Sequence, residues 1–171
     1  MVHTEQIDPL AVIPPRHEPL TDVLQAYKDF DKRKEGWIKA LKHLRLTAGP
    51  IIEGDWTAQS GYQATLKLIR DHRREFSAVV VANDHMALGA LSAFKEHGIA
   101  VPDQVSVIGF DGLPEAQFYQ PPLSTIYQDF AALGEVGMEY LLNLINRTGA
   151  GAKRYLQKPI LVARQSTAAA P

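Results

Sequence analysis

The 171-residue sequence has no cysteine, almost no net charge and no long apolar run, and each absence excludes a class of protein. Without cysteine there is neither a disulfide framework nor thiolate chemistry, which fits a reducing cytoplasm. A formal net charge of −1 gives no bulk attraction for nucleic acid or an anionic membrane. No apolar run approaches the ~20 residues of a transmembrane helix, and the acidic, proline-containing start is unlike a signal peptide. We therefore expect a cytoplasmic protein without a membrane partner.

The sequence also lacks the motifs of the common enzyme classes. It contains no HExxH, CxxC or G-x-S-x-G motif, no P-loop, and no G-x-G-x-x-G after a strand. Its six histidines are scattered, and the pair His17 and Glu18 between prolines is weak support for a metal or acid–base site. We predict that the protein is not an enzyme and that it uses no cofactor and no metal ion.

What the sequence does contain is typical of a globular α/β domain. Hydrophobic residues make up 46% of the chain and charged residues 22%, which allows a buried core. Short apolar runs alternate with longer helical patterns, and this alternation predicts βαβ units around a parallel sheet. The runs AVVVA and VSVIGF are apolar throughout, as expected for strands that helices cover on both faces.

The predicted elements cover most of the chain. Strands are expected at LAVI (10–13), PIIEG, AVVVA, VSVIGF and LSTIY, with a final pair of strands within YLQKPILVARQST. Helices are expected at about 20–46 (with a break near Phe30), 57–72, 84–97 and 130–147.

Polar residues end two successive strands of the predicted sheet. Asn83 closes AVVVAN and Asp111 closes VSVIGFD. Ligands of open parallel sheets bind just beyond the carboxyl ends of the strands, and an amide beside a carboxylate suits the hydroxyls of a small polar molecule. Structural roles remain open: Asn83 or Asp84 can cap the next helix, and Asp111 can form an Asx turn. Because two polar residues are adjacent, Asp84 can cap the helix while Asn83 faces the crevice.

Two aromatic residues are predicted at the same edge. Trp56 follows the strand in IIEGDW, and Phe130 stands where the chain leaves the LSTIY strand. Aromatic faces form platforms for the apolar side of a sugar ring, although packing in the core is the alternative for Trp56. Arg33 lies in a charged helical run, for which a solvated face is the ordinary explanation.

Five phrases resemble, in the same order, the lactose-repressor/galactose-repressor family of bacterial transcription regulators. They are EGDWTAQSGYQ, VANDHMALGAL, GIAVPDQVSVIGFDG, PPLSTIYQDFAALG and LVARQST, and the resemblance covers about residues 33–167. It implies an α/β, periplasmic-binding-protein-like fold with a doubly wound parallel sheet. In that fold two subdomains clasp a small effector, commonly a sugar or nucleoside. This chain resembles largely one of them, the C-terminal subdomain.

The resemblance also implies roles for individual residues. Its effector-binding positions are Arg33, Trp56, Asn83, Asp111, Gln128 and Phe130. Gly112 stands where the family often has a second acid. The family dimerises through this subdomain, which implies a homodimer surface made by the helix from Thr57, the helix containing Met86 to Leu91, and the loop from Leu113 to Tyr119.

The resemblance divides the chain into an N-terminal extension with the first strand at 1–19, the C-terminal subdomain at 20–167 and a tail at 168–171. No segment has the pattern of a DNA-recognition helix, so the DNA-binding headpiece is expected to be absent, and operator DNA would be bound only through it. We expect the sugar-binding and dimerisation region of an allosteric transcriptional repressor. A soluble sugar-binding protein of the periplasmic receptor type and a dimerisation-only remnant are the alternatives.

Overall fold

The computed structural model describes residues 10–13, 33–72, 76–146 and 159–169. Several predictions therefore lie outside the described residues. These are most of the N-terminal extension, the pair His17 and Glu18, the first half of the long helix, and the first strand of the final pair. Within the described ranges, no helix is both long and apolar enough to cross a membrane.

The described elements follow the predicted order of strands and helices. They are β1 (Leu10–Ile13), α1 (Arg33–His43), β2 (Ile51–Ile52), α2 (Ala58–His72), β3 (Ala78–Val81), α3 (Asp84–Glu96), β4 (Ser106–Asp111), a 3-10 helix (Pro114–Phe118), β5 (Ser124–Tyr127), α4 (Phe130–Ile145) and β6 (Ile160–Val162). The 3-10 helix lies in a segment that the sequence predicts as loop, and Pro114 provides its first residue.

The six strands form one sheet in the order β2-β1-β3-β4-β5-β6. Strands β3, β4 and β5 are parallel, which confirms a parallel-dominated α/β fold. The edge strand β6 is antiparallel to β5, and β1 is antiparallel to both β2 and β3, which the sequence did not predict. An apolar run specifies a strand but not its direction. Because β1 opposes both neighbours, β2 runs with β3, and the ends of β2, β3, β4 and β5 share one edge, here named the carboxyl edge.

Alternate residues of the central strands pack into two cores, one on each face of the sheet. Val79 and Val81 of β3 belong to the core shared with α2 and α3. Ala78 and Val80 face the opposite way, into the core that contains the fully buried Trp37 of α1. The prediction of strands covered on both faces is therefore confirmed for β3.

Helices α2 and α3 pack closely because two glycines lie in their contact. A Cβ at Gly61 would overlap the backbone of Met86, and a Cβ at Gly89 would overlap the carbonyl oxygen of Ala58. The two helix backbones therefore approach each other without intervening side chains at these points. The pair as a whole lies over the face of the sheet that carries Val79 and Val81.

The closing phrase LVARQST secures the opposite edge of the sheet, where β4 and β5 begin. The Ser166 hydroxyl donates to the Val107 carbonyl (2.6 Å) and accepts from the Ser124 N–H (2.8 Å). Ser166 is completely buried. The side chain of Arg164 donates to the Leu123 carbonyl (2.6 Å). The last described segment thus fixes the starts of the two strands whose other ends form the carboxyl edge.

Candidate functional site

The carboxyl edge brings together five of the six predicted site residues. Trp56 follows β2, Asn83 follows β3, Asp111 ends β4, Gln128 follows β5, and Phe130 begins α4. Arg33 is the first residue of α1, and its side chain is outside the described part of the structure. These residues lie together because the strands before them are parallel, and parallel strands end at a common edge.

Asn83 caps helix α3 and anchors the loop after β2. Its backbone is extended (φ −150°, ψ 165°), and its Oδ1 accepts from the N–H of Met86 at 2.8 Å. Its Nδ2 donates to the Trp56 carbonyl at 2.9 Å. Of the two residues that could cap the helix, Asn83 is therefore the cap, because Asp84 already has helical geometry as the first residue of α3. An amide can make up to four hydrogen bonds, so capacity for a ligand remains.

Trp56 presents its side chain at the carboxyl edge instead of packing into the core. It is 39% exposed and adopts a left-handed backbone conformation with φ of 73°. The adjacent Asp55 stabilises this loop by accepting from the hydroxyl of Thr57 (2.6 Å), and hydrogen bonds from Thr57 and Ser60 hold the pKa of Asp55 below its ordinary value. Part of Trp56 is therefore accessible to solvent at the carboxyl edge.

Asp111 lies in a strained turn and pairs with Gln128. Its φ is 104°, a conformation that favours glycine, and its carboxylate accepts from Nε2 of Gln128 at 3.1 Å. Gly112 continues the left-handed turn with φ of 77°, and a Cβ there would approach the ring of Tyr127 to 2.6 Å. The structure thus gives a physical reason for glycine at the position where the family often has an acid.

Phe130 lies at the start of α4 and is 54% exposed. The helix is capped by Asp129, whose Oδ1 accepts from the N–H of Ala132 at 3.0 Å. Asp129 was not among the predicted site residues, although an aspartate directly before a helical pattern is a usual start signal. This cap fixes where Phe130 begins the helix at the carboxyl edge.

Asp84 is the second residue of this edge that was not among the predicted site residues. Its carboxylate is buried with no exposed surface. Oδ1 accepts from the hydroxyl of Thr125 at 2.6 Å, and Oδ2 accepts from the N–H of Leu113 at 2.7 Å. Burial raises the pKa of Asp84, and the hydrogen bonds from Thr125 and Leu113 act in the opposite direction. The only sequence signal was its position beside the cap.

The raised pKa of Asp84 predicts a pH-dependent contribution to stability. With a folded-state pKa above the unfolded value near 3.8, the folded protein binds this proton more tightly. The contribution therefore falls as pH rises from the unfolded pKa through the folded pKa, and it is constant above that window. Urea unfolding of the wild type and of Asp84→Asn across this range measures the effect. We expect their free-energy difference to change with pH, and a constant difference would contradict the prediction.

Among the described residues, no group of three histidine, cysteine, aspartate or glutamate side chains comes together as a metal site. The carboxyl edge instead combines amide and carboxylate groups with exposed aromatic rings. Such a surface can hydrogen-bond hydroxyls and cover an apolar ring face in the same ligand.

The chain matches the family model of periplasmic binding protein-like domains over residues 20–167. It is 37% identical to the lactose operon repressor of Escherichia coli over 139 residues, which is 81% of this chain and 38% of that protein. It is 36% identical to the HTH-type transcriptional repressor PurR of Haemophilus influenzae over 139 residues, or 78% of this chain and 41% of that protein. The chain thus spans about two fifths of the length of these curated relatives.

Solved structures of transcription regulators are also similar to this chain. A dimeric Lac repressor with a C-terminal deletion superposes with a TM-score of 0.75 at 38% identity, covering 80% of this chain and 50% of that one. The transcriptional regulator CelR in complex with cellobiose gives a TM-score of 0.75 at 28% identity, covering 79% of this chain and 42% of that one. The chain therefore belongs to the family of periplasmic binding protein-like domains and, as its motifs predict, resembles the cores of lactose-repressor-type transcription regulators.

Proposed function

We propose that this chain is the effector-binding and dimerisation region of a lactose-repressor-type transcription regulator, with a sugar as its effector. The observation that carries the proposal is the carboxyl edge, where Asn83 and Asp111 provide polar groups beside the exposed ring of Trp56. A carboxylate accepts strongly from vicinal hydroxyls, and an indole face covers the apolar side of a pyranose ring. Cellobiose, the ligand in the CelR complex, has this chemistry.

The proposed mechanism is a shift between two closure states of a two-subdomain clasp. An effector that binds one closure state better than the other moves the population toward that state and thereby changes affinity for operator DNA. This chain contributes the wall formed by Trp56, Asn83, Asp111 and Gln128. A single wall leaves much of a sugar in contact with water, so we expect binding by this chain alone to be weak.

The apolar surface of helix α4 is consistent with contact to the other subdomain of the clasp. Its exposed apolar side chains are Leu133, Met138, Leu141 and Leu142. An apolar surface of this kind usually marks an interaction site. In the proposed assembly the other subdomain covers it, and Phe130 at the start of the same helix lies at the edge of the effector cleft.

A homodimer surface is proposed on α3 and the 3-10 helix. Within the implied surface, Met86, Leu91 and Tyr119 are buried and serve internal packing. The outward apolar members are Leu88, which is 39% exposed, and Phe118, which is 74% exposed. These two side chains are therefore the ones that a partner would cover.

Replacing Phe118 with aspartate is expected to convert the dimer to a monomer. A charge placed in an apolar contact loses its hydration on association, which opposes the dimer. Light scattering of the wild type should give twice the mass of one chain, and Phe118→Asp should give the single mass. Gln165→Asp, an exposed change at the opposite edge, is the control and should stay dimeric. A monomeric wild type would contradict this part of the proposal.

A dimerisation-only module is the second candidate, and one observation favours it. Both ends of the Asn83 amide already bond protein atoms, the N–H of Met86 and the carbonyl of Trp56. In that case the carboxyl edge has a structural role only. Light scattering repeated with galactosides and cellobiose separates the two candidate functions. A dimer without any sugar response supports the dimerisation-only module.

A further inference from the structure

We propose that Asp84 is a positioning residue of the candidate site, because its buried carboxylate fixes the turn that aims Asp111. Asp84 does not contact a ligand itself, since it has no exposed surface. The inference deepens the proposed effector-binding function and rests on it for its biological meaning. The placement of the turn by Asp84 can be measured independently of effector binding.

Three hydrogen bonds link Asp84 to the residues that follow Asp111. Oδ2 of Asp84 accepts from the N–H of Leu113 (2.7 Å). Oδ1 accepts from the Thr125 hydroxyl (2.6 Å), and that hydroxyl oxygen in turn accepts from the N–H of Gly112 (3.3 Å). The two amides directly after Asp111 therefore depend on one carboxylate, one of them through Thr125.

The strand beneath the carboxylate is shaped to receive it. Gly109 of β4 lies under Asp84, and a Cβ there would overlap Oδ1 of Asp84 and lie 2.8 Å from the Leu123 side chain. Beyond it, Asp111 holds a φ of 104°, which a non-glycine residue adopts only when its surroundings enforce it. The bonds from Gly112 and Leu113 provide that enforcement on the chain immediately after the strained residue.

Asn83 and Asp84 together join the segments of the carboxyl edge. Asn83 holds the loop after β2 through the Trp56 carbonyl, and Asp84 holds the turn after β4 and, through Thr125, strand β5. One dipeptide at the end of β3 thus sets the relative placement of Trp56 and Asp111. Changing Asp84 should alter the geometry of the site without removing a ligand contact.

One titratable group acts electrostatically on Asp84, and the charge of Asp84 acts on a second. The carboxylate of Asp111, on β4, opposes ionisation of Asp84. Tyr119, which follows the 3-10 helix, has its own pKa raised, first by burial and then by the charges of Asp84 and Glu115. Tyrosine titrates far above the carboxyl range, so Asp111 is the group that an experiment must separate from Asp84.

The test is the pH dependence of backbone amide signals in the ¹⁵N spectrum of the full chain. The Gly112 and Leu113 amides should titrate in the wild type, because their acceptors respond to protonation of Asp84. This titration should persist in Asp111→Asn and vanish when Asp84→Asn is added to that variant, with Asp103→Asn at the opposite edge as an unchanged control. Thr125→Val should shift Gly112 more than Leu113. Two results would overturn the proposal. One is a titration of the Gly112 and Leu113 amides that survives when Asp84→Asn is added to Asp111→Asn, and the other is a set of pH-dependent shifts of equal size at distant amides such as that of Ser166.

A second measurement uses the same samples with cellobiose and simple galactosides. Asp84→Asn should weaken any sugar affinity of the wild type by about tenfold, in step with the displaced turn. Unchanged affinity with an altered turn would overturn the positioning role. If the wild type shows no response to any sugar, the effector-binding proposal fails, while the pH-dependent amide signals still decide whether Asp84 holds the turn.

Discussion

Gly89→Ala is expected to lower the free energy of unfolding by about 3 kcal/mol or more. The added methyl group would overlap the carbonyl oxygen of Ala58, which is backbone and cannot rotate away. Helices α2 and α3 would have to separate, and the core beneath them would lose contacts. Urea denaturation followed by far-ultraviolet circular dichroism measures the loss.

The matched control is Gly134→Ala in α4. Gly134 is in a helix, and among the described residues no atom outside that stretch of helix lies within 4 Å of a Cβ built there. The substitution should therefore raise stability by about 0.5–1 kcal/mol, since alanine has the higher helix propensity. A loss at Gly89 no larger than the change at Gly134 would show that the helices do not pack at these glycines.

Trp37→Ala should lower the free energy of unfolding by about 3–5 kcal/mol. Trp37 is completely buried and belongs to the core between α1 and the sheet. Truncation leaves a large cavity against Val80 and Ile108, whose neighbours can relax only partly. Equilibrium unfolding in urea, monitored by circular dichroism because the variant lacks this fluorophore, measures the effect.

Trp37→Phe provides the comparison within the same site. The indole N–H of Trp37 has no hydrogen-bond partner among the described residues, so a phenyl ring loses volume but no hydrogen bond. We expect a loss of less than half that of Trp37→Ala. Equal losses for the two variants would mean that the indole has a polar role here. Trp37→Phe also leaves Trp56 as the single tryptophan, so that its fluorescence reports on the carboxyl edge.

The sequence predicted most of the fold because its signals were local. AVVVA and VSVIGF are apolar throughout and became the central strands β3 and β4, with helices at the expected places between them. The directions of β1 and β6 were not predictable: both strands are antiparallel to their neighbours, and apolar patterns contain no information about direction.

The candidate site could be predicted in position but not in detail. The predicted ends of the strands placed Trp56, Asn83 and Asp111 at one edge, as the structure does. The sequence left the cap open between Asn83 and Asp84, and it belongs to Asn83, because a shift of one residue decides which side chain precedes the first helical turn. The role of Asp84 depends on Thr125 and Leu113, which are 41 and 29 residues away in sequence. Contacts of that range leave no signal in a local pattern.

The most direct test of the account is a titration of the ¹⁵N-labelled chain with cellobiose and with simple galactosides, observed amide by amide. We expect weak binding, in the millimolar range, with shifts confined to the carboxyl edge around Trp56, Asn83, Asp111 and Gln128. In Trp37→Phe, the emission of Trp56 should change over the same concentrations. The absence of any localised shift, or shifts confined to the opposite edge around Ser166, would contradict the claim that the carboxyl edge is an effector site.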